Sequence, residues 1–551
     1  MNFRQAMIGS GRSTLVVALV CGTTLALTAC KVGPNYNGPP ETASPADFAA
    51  VPKGPVPDVK SIPAPGDVEL AAWWKQFGDP QLDSLVEKAL RDNLDLQLAQ
   101  SRVKEARAAR GIVVADWFPA VGVGGTYSRS RNSDNIGFIG SNPTGGSDLY
   151  TAGFDASWEI DFWGKTARGV EAADAIIAQS IENRRDVMIS LLAEVASNYV
   201  TLRGQQERMT VTERAVKAQE DSLKLTESRF RAGLVGELDV SQAKAQLENR
   251  IALLYPIKTE IERAINRLGV LLGKPPRTFA EELSPRMKLP VPPAVVNVGV
   301  PSELLKRRPD IRSAERAVAS QTARIGVATA DLYPSFSITA ALGLQSNQFG
   351  SFWNSSSRYW NIVPGVSWPV LDWGKIRSNI QVADARAEQA IIVYEQVVLN
   401  SFENVESSLL QLVSEQQRYG ALSRSVEASA RAVQLAEDLY QTGNVDFRTV
   451  LDNQLVLFTA EDNAVISQTF TLTSMISLYK SLGGGWEYME KDPWTPKLVP
   501  SSTIAAAVDG IANPNATSSP PGENGTDQPA TATPIHTGEA SQSPVPAEPK
   551  P

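Results

Sequence analysis

An alternating segment occupies residues 149–162 and reads LYTAGFDASWEIDF. Apolar and aromatic residues stand at every second position from Tyr150 to Phe162, and polar or small residues fill most of the positions between them. Period-two alternation of this kind predicts a β-strand with one apolar face. Similar alternation at three other places predicts two β-hairpins in all, within residues 120–162 and 335–372; the further strands are expected at residues 121–127, 335–344 and 360–370.

Such alternation also describes a half-buried soluble sheet, but three features favour strands in a lipid bilayer. Each run is about ten residues long, the length that a tilted strand needs to cross a bilayer. Aromatic residues cluster near the strand ends, as they do at membrane interfaces. The hairpin loops, about residues 132–147 and 346–357, are rich in Gly, Ser and Asn. We therefore predict membrane-spanning β-strands.

Four strands are too few to close a barrel within one chain. Bacterial barrels start at about eight strands, and open sheet edges are not tolerated in lipid. The barrel must therefore be shared between chains: two chains would give a filled barrel of about eight strands, and three would give about twelve strands around a pore. The polar face, which carries Asp155, Glu159 and Asp161, favours the twelve-stranded barrel of a homotrimer.

The sequence is duplicated. Three pairs of segments match in the same order in both halves, at offsets of 210 or 215 residues: 115–119 with 330–334 (ADWFP and ADLYP), 163–165 with 373–375 (WGK in both), and 230–235 with 440–445 (FRAGLV and YQTGNV). Chance matches would not stay collinear. Each half is therefore predicted to repeat one order of elements, namely helix, strand, strand, long helix and helix.

Each half contains one long segment without proline, at residues 165–232 and 375–442. As a helix, each would be a rod of roughly 100 Å. Apolar residues follow coiled-coil steps of four and three in both rods, at Met188, Leu192, Val195, Tyr199 and Leu202, and at Val398, Phe402, Val405, Leu409 and Leu412. These stripes are expected to pack between helices of neighbouring chains. A periplasmic coiled-coil spacer is the alternative, and the strands argue against it.

Composition excludes several functional classes. The formal net charge is −8, and no long basic run is present, which argues against a nucleic-acid partner. The only histidine is His536, within a tail rich in Pro, Ser, Thr and Ala, and the only cysteines are Cys21 and Cys30. A His-based triad or a Cys/His zinc site is therefore ruled out in the folded part, which leaves only carboxylate or lysine chemistry. We predict a protein without catalytic, cofactor-binding or metal-binding residues.

The first 29 residues have the pattern of a lipoprotein signal peptide. Arg4 and Arg12 precede an apolar run, Leu15–Leu27, that is too short to cross a bilayer as a helix. The run ends in Leu27-Thr28-Ala29-Cys30, which resembles a bacterial lipobox. Diacylglycerol and palmitoyl groups are thus expected on Cys30, and Lys31, which is not an aspartate, favours sorting to the outer membrane. An ordinary signal peptide with a chance cysteine is the alternative.

Several motifs resemble the TolC-like outer membrane factor family, in its NodT-type efflux lipoprotein subgroup: WWKQFGDPQL at 73–82, VGVPSELL at 298–305, RRPDIR at 307–312, and the segments 360–375 and 440–452. The resemblance covers about residues 30–494. It implies a trimer with a 12-stranded outer-membrane β-barrel, a 12-helix periplasmic α-barrel and a mixed collar. It also implies a passive exit duct for small molecules, which an inner-membrane transporter of the resistance-nodulation-division (RND) type supplies through a periplasmic adaptor, or membrane fusion protein.

The resemblance also suggests a gate at the periplasmic tip. Asp239, Tyr440 and Asp452 match positions at which relatives constrict the tunnel with acidic rings and interhelical hydrogen bonds. Asp446 and Arg448 are neighbours that could form pairs across chains. The alternative is that these residues are solvated charges at helix ends.

The predicted organisation has five parts: a signal peptide at 1–29, a lipid-anchored extended segment at 30–78, repeat 1 at 79–297, repeat 2 at 298–490 and a disordered tail at 491–551. Two other functions stay open on the sequence alone, namely the exit duct of a type I protein secretion system and a non-conducting structural lipoprotein. The sequence does not distinguish drugs, solvents and metal ions as cargo.

Overall fold

The computed structural model describes residues 31–42, 44–52, 54, 56–64, 70–131 and 146–488. The signal peptide, Cys30, most of the first hairpin loop and the predicted disordered tail lie outside the described residues. All described residues belong to one compact unit, which ends at Pro493.

The first repeat and the segment before it contain β1 (Ile62–Ala64), α1 (Pro80–Asp92), α2 (Leu94–Ala115), β2 (Ala120–Ser130), β3 (Ser147–Ile160), α3 (Lys165–Arg231), α4 (Glu237–Leu271), α5 (Ala280–Leu283) and β4 (Val295–Asn297). The second repeat contains α6 (Pro301–Arg307), α7 (Pro309–Ala330), β5 (Ser335–Ser346), β6 (Arg358–Ser367), α8 (Lys375–Gln441) and α9 (Phe447–Ser481). Short 3-10 helices lie at Trp73–Phe77, Phe349–Ser351 and Ser355–Ser357. Mixed long helices and strands in two repeats confirm the predicted fold class.

The four long strands form one antiparallel sheet in the order β2-β3-β5-β6. Its register aligns apolar residues with apolar residues, and polar or small residues with one another, across all four strands. On one face Val123, Phe154, Leu342 and Trp360 stand side by side, and on the other face Gly122, Asp155, Ala341 and Asn361 do. The apolar row is open to solvent, with Val123 at 76% and Trp360 at 73% exposure. The sheet therefore presents a continuous apolar face that no described residue covers.

Two strands end earlier than the alternation predicted. The pattern ran to Phe162 and Val370, whereas β3 ends at Ile160 and β6 at Ser367. The reason lies in the aspartates that follow. Asp161 accepts a hydrogen bond from the Ala167 amide at 2.8 Å, and Asp372 accepts from the Gly374 and Ile376 amides at 3.0 and 2.7 Å. Both carboxylates cap the first turn of a long helix, so the chain turns away from the sheet before the alternation ends.

Each long helix contains 67 residues. The coiled-coil stripes at 188–202 and 398–412 are buried, but they are buried within a single chain. They pack there against the other helices and the segment at Trp73–Phe77. The expectation that these stripes are unpaired, and so pack between chains, was therefore wrong. Among the helices of the described residues, none combines the length and the hydropathy needed to cross a membrane.

Two motifs from the sequence meet beside this core. Trp73 stacks on Tyr479 of α9 with ring centroids 5.2 Å apart. Arg308 donates a hydrogen bond to the carbonyl of Ser481 at 2.7 Å, and Asp310 holds its guanidinium at 3.0 and 2.6 Å. Arg308 thus satisfies a free carbonyl at the end of α9, where a cation also favours the helix dipole.

We call the described residues of 31–64 the N-terminal strap. Its beginning contacts α3 and α7, and its later part contacts α8. The Ala49 and Ala50 amides donate to the Glu406 carboxylate at 2.7 and 2.8 Å. Farther along, the Ser61 amide donates to Gln416 at 2.8 Å. The strap ends in β1, which pairs in parallel with β4. The strap therefore runs from Lys31, beside the start of α3, to the middle of the helical body.

Candidate functional site

The predicted gate residues lie at two tight helical turns far from the sheet. α3 and α8 start just after the strands, and 67 residues of helix place their ends roughly 100 Å away. Gly233 and Gly443 follow these ends with φ values of 72° and 78°. At both turns the glycine amide donates to the carbonyl of the residue three positions before the glycine. The amide of the following residue donates to the carbonyl five positions before itself. This is the Schellman arrangement, which glycine adopts at little steric cost.

Tyr440 lies at the centre of a small apolar cluster that holds the two turns together. Its ring lies 5.3 Å from that of Phe447, and Ala243, Ala436 and Val450 complete the cluster. The side chain is 3% exposed. Burial raises the pKa of this phenol, and the nearby Thr226 hydroxyl and Arg229 guanidinium oppose the rise. Within one chain Tyr440 thus acts as a packing residue.

Arg229, which sequence reasoning missed, links the two turns. Its guanidinium donates to the carbonyls of Tyr440 and Gln441 at 3.0 and 3.2 Å and lies 4.5 Å from the centre of the Tyr440 ring. A cation at the last carbonyls of α8 favours the helix dipole. A difference between the two repeats could have identified Arg229. At the offset of 210 the second repeat has Leu439 at the corresponding position.

The predicted acidic residues make mainly local contacts. Asp446 caps α9 and accepts hydrogen bonds from the Thr449 hydroxyl and amide at 2.6 and 3.0 Å, which lower the pKa of its carboxyl. Arg448 lies 3.8 Å from Asp452, one turn along the same helix, and both side chains are more than two-thirds exposed. Asp239 lies in the first turn of α4. The structure thus pairs Arg448 with Asp452 inside one chain and leaves both open to solvent.

Ion pairs couple the two repeats farther up the helices. The Arg208 guanidinium of α3 forms a bidentate ion pair with the Asp462 carboxylate of α9 at 2.7 and 3.0 Å. Arg214 lies 3.8 Å from Glu461. Neither these groups nor any others of the described residues bring together three potential metal ligands. These ion pairs join the helices of the two repeats.

The family model described as "Outer membrane efflux protein" matches the chain twice, at residues 85–274 and 300–484. The chain belongs to this outer membrane efflux protein family. The two matches also confirm the duplication, since each covers one predicted repeat. The family is the TolC-like one that the motifs indicated, and it consists of transport proteins, so the prediction that this protein is not an enzyme is confirmed.

Similar proteins share both sequence and fold. Nodulation protein T of Rhizobium leguminosarum bv. trifolii is 31% identical over 433 residues, which are 78% of this chain and 89% of that protein. The cation efflux system protein CusC of Escherichia coli O157:H7 is 30% identical over 84% of this chain and 97% of its own length. A solved structure of the outer-membrane channel OprN has a TM-score of 0.76 at 35% identity and covers 83% of this chain and 100% of that one. The outer membrane efflux protein described here is thus an outer-membrane channel of an efflux pump.

Proposed function

We propose that this protein is a homotrimeric, passive exit duct of a tripartite efflux system. The observation that carries the proposal is the four-stranded sheet, whose uncovered apolar face is bounded by two edge strands, β2 and β6. A sheet in lipid must pair its edges. Three copies joined β2 to β6 would give a barrel of about twelve strands, with the row that contains Asp155 on the inside.

The helical body supports the same assembly. Ile392, Leu399 and Leu410 of α8 are 56%, 65% and 58% exposed. The spacing of seven and eleven residues puts the three side chains on one face of α8, and an exposed apolar stripe of this kind supports an interaction surface. In the proposed trimer such surfaces would meet between chains, and four long helices from each chain would build a 12-helix periplasmic α-barrel.

The proposed partners are a periplasmic adaptor, or membrane fusion protein, and an inner-membrane RND-type transporter, with outer-membrane lipid around the barrel. The proposed cargo is small molecules, because relatives at 30–31% identity have names that refer to pyoverdine export, cation efflux and antibiotic efflux. These names favour efflux over the type I secretion duct and the structural lipoprotein.

We further propose that the signal peptide at 1–29 is removed and that Cys30 carries diacylglycerol and palmitoyl. The lipobox pattern supports this, and a relative in Salmonella typhimurium, 30% identical over 478 residues, is named a probable outer membrane lipoprotein. The extended segment at 30–78, the repeats at 79–297 and 298–490 and the tail at 491–551 remain the proposed divisions of the chain.

For the gate we propose the tip residues Asp239, Tyr440, Asp446, Arg448 and Asp452. Asp452 is the strongest candidate because its side chain is 67% exposed in one chain. Three copies around a narrow axis would form an acidic ring, which attracts cations.

Mass measurement and single-channel recording test the proposed duct. In detergent, the protein should have about three times the mass of the mature chain. In planar bilayers it should show discrete openings without added nucleotide. A stable monomer that conducts would contradict the argument from sheet edges, and a trimer without openings would favour a structural lipoprotein.

A further inference from the structure

A cavity of about 190 Å³ lies where the four long helices meet, and residues of α3, α4, α8 and α9 line it. Arg250 is the residue of α4 in this lining. Because α4 begins at Glu237, Arg250 lies about 20 Å of helix above the turn that contains Gly233. Both repeats therefore contribute to one cavity just above the periplasmic tip.

Arg250 is a buried cation without a carboxylate partner. The residue is 9% exposed, and its guanidinium carbon lies 4.1 Å from the centre of the Phe458 ring. None of the described residues accepts a hydrogen bond from this guanidinium or forms an ion pair with it. Burial lowers the pKa of Arg250. A guanidinium has five N–H donors, and burying its charge is costly unless the charge is paired and the donors are bonded.

A second unused donor belongs to the same lining. Gln219 of α3 is 5% exposed, and its buried Nε2 has no hydrogen-bond acceptor in the part of the chain that the structure describes. The two carboxylates of the lining have other partners. Glu437 accepts a hydrogen bond from the Gln454 amide at 2.9 Å. Glu461 lies 3.8 Å from Arg214. Arg250 is thus the one cation of this lining that no carboxylate of the described residues pairs with.

The duplication supplies an internal comparison. At the offset of 210, repeat 2 has Ala460 where repeat 1 has Arg250. Ala460 is also buried. A methyl group therefore fills this position of the helix in repeat 2, and the helix forms there without a guanidinium. The long cationic side chain belongs to the cavity and is not a requirement of the repeated fold.

We propose that this cavity is a binding site for a small, singly charged anion such as chloride. Arg250 supplies the positive charge and several N–H donors, and Gln219 supplies a further donor from its amide. One unpaired guanidinium balances one negative charge. The carboxylates of Glu437 and Glu461 in the lining disfavour a doubly charged sulfate or phosphate. Since Gln219 and Arg250 come from α3 and α4, the bound anion joins these two helices just above the tip.

Hydrogen exchange at controlled chloride concentration tests the site. The full-length protein in detergent is kept at constant ionic strength while chloride replaces sulfate, and exchange is followed in the peptides that contain Arg250 and Phe458. Local opening releases the anion, so chloride at about ten times its dissociation constant should slow exchange of these amides about tenfold. The rates are compared with those of Arg250→Met at each salt composition, which cancels the effect of the salts on the whole molecule. Arg250→Met keeps a long side chain beside Phe458 but removes the charge, so its exchange should not slow.

Arg263→Met is the matched control. Arg263 lies on the same helix, is exposed and pairs with Glu260 at 2.6 Å, so this variant should respond to chloride as the wild type does. Equal responses of wild type and Arg250→Met would overturn the anion site and would fit a cavity that holds only water between Arg250 and the unbonded Oε1 of Gln454.

Bromide provides a second measurement that does not depend on how the variants fold. Bromide has the charge of chloride and scatters anomalously, so wild-type crystals soaked in bromide should show an anomalous peak within hydrogen-bond reach of the Arg250 guanidinium. A soaked crystal without a peak in this cavity would overturn the proposal.

Discussion

Replacing Arg229 by methionine should loosen the periplasmic tip. The change removes two hydrogen bonds to the last carbonyls of α8, at 3.0 and 3.2 Å, and the contact with the Tyr440 ring. Each hydrogen bond contributes about 1 kcal/mol and the cation–π contact about 0.5–1 kcal/mol at a partly exposed site. The coupling between the two turns is therefore about 3 kcal/mol, which corresponds to a change of about 100-fold in the population of the separated state.

Resting conductance in planar bilayers measures this population. Arg231→Met is the matched control, because Arg231 lies in the same last turn of α3 and donates a hydrogen bond, at 3.4 Å, to the Ser228 hydroxyl of its own helix. Arg229→Met should raise the resting open probability by one to two orders of magnitude, and Arg231→Met should leave it unchanged. If the two variants conduct alike, Arg229 does not hold the turns together.

Three further changes test the proposed anchor and gate. Wild-type protein should incorporate labelled palmitate and the Cys30→Ser variant should not, and equal labelling of the two would exclude lipidation at Cys30. Efflux by the Cys30→Ser variant should fall only in part, since the strands also hold the protein in the membrane. Replacing Asp239 and Asp452 together by alanine should weaken cation preference and raise resting conductance, and unchanged ion selectivity would place the constriction elsewhere. Hydrogen bonds from Thr449 lower the pKa of Asp446, so the cap on α9 is fully formed above about pH 4 and is lost as the pH falls through the lowered pKa. Rate-corrected hydrogen exchange at the start of α9 should therefore accelerate in acid for wild type and show no such step for Asp446→Asn.

The long helices could be predicted closely because their ends carry local signals. The segment WGK precedes α3 and α8, and Gly233 and Gly443 follow them. Strand ends were less predictable, since apolar residues continue past Ile160 and the decisive interaction is a helix cap made by Asp161. Alternation predicts which face of a strand is apolar, but it does not predict where a helix-capping hydrogen bond ends the strand.

Packing partners were harder to predict than elements. A heptad stripe predicts that Leu192 and Leu409 pack against apolar side chains, but it does not specify whether those side chains belong to the same chain or to another. At the tip, the sequence drew attention to Asp446 and Tyr440 but not to Arg229, whose role depends on a contact between residues 211 positions apart. Such a contact follows from the way the two repeats pack and not from any local pattern.

The strap carries a consequence for sequence divergence among relatives. It is attached in part through its backbone: the amides of Val32, Ala49 and Ser61 donate to Trp163, Glu406 and Gln416. Backbone amides are the same for most residue types, so substitutions should accumulate at strap positions whose side chains make no contact. They should be rarer at Asn35, which bonds Arg168, at Phe48, which packs in the core, and at Asp58, which pairs with Arg424. The number of residues in the strap should be constrained more strictly, because one inserted residue adds about 3.3–3.6 Å of chain and moves every later amide away from its acceptor. Insertions and deletions should therefore be rare between Val32 and Ser61, even where exposed residues between them vary.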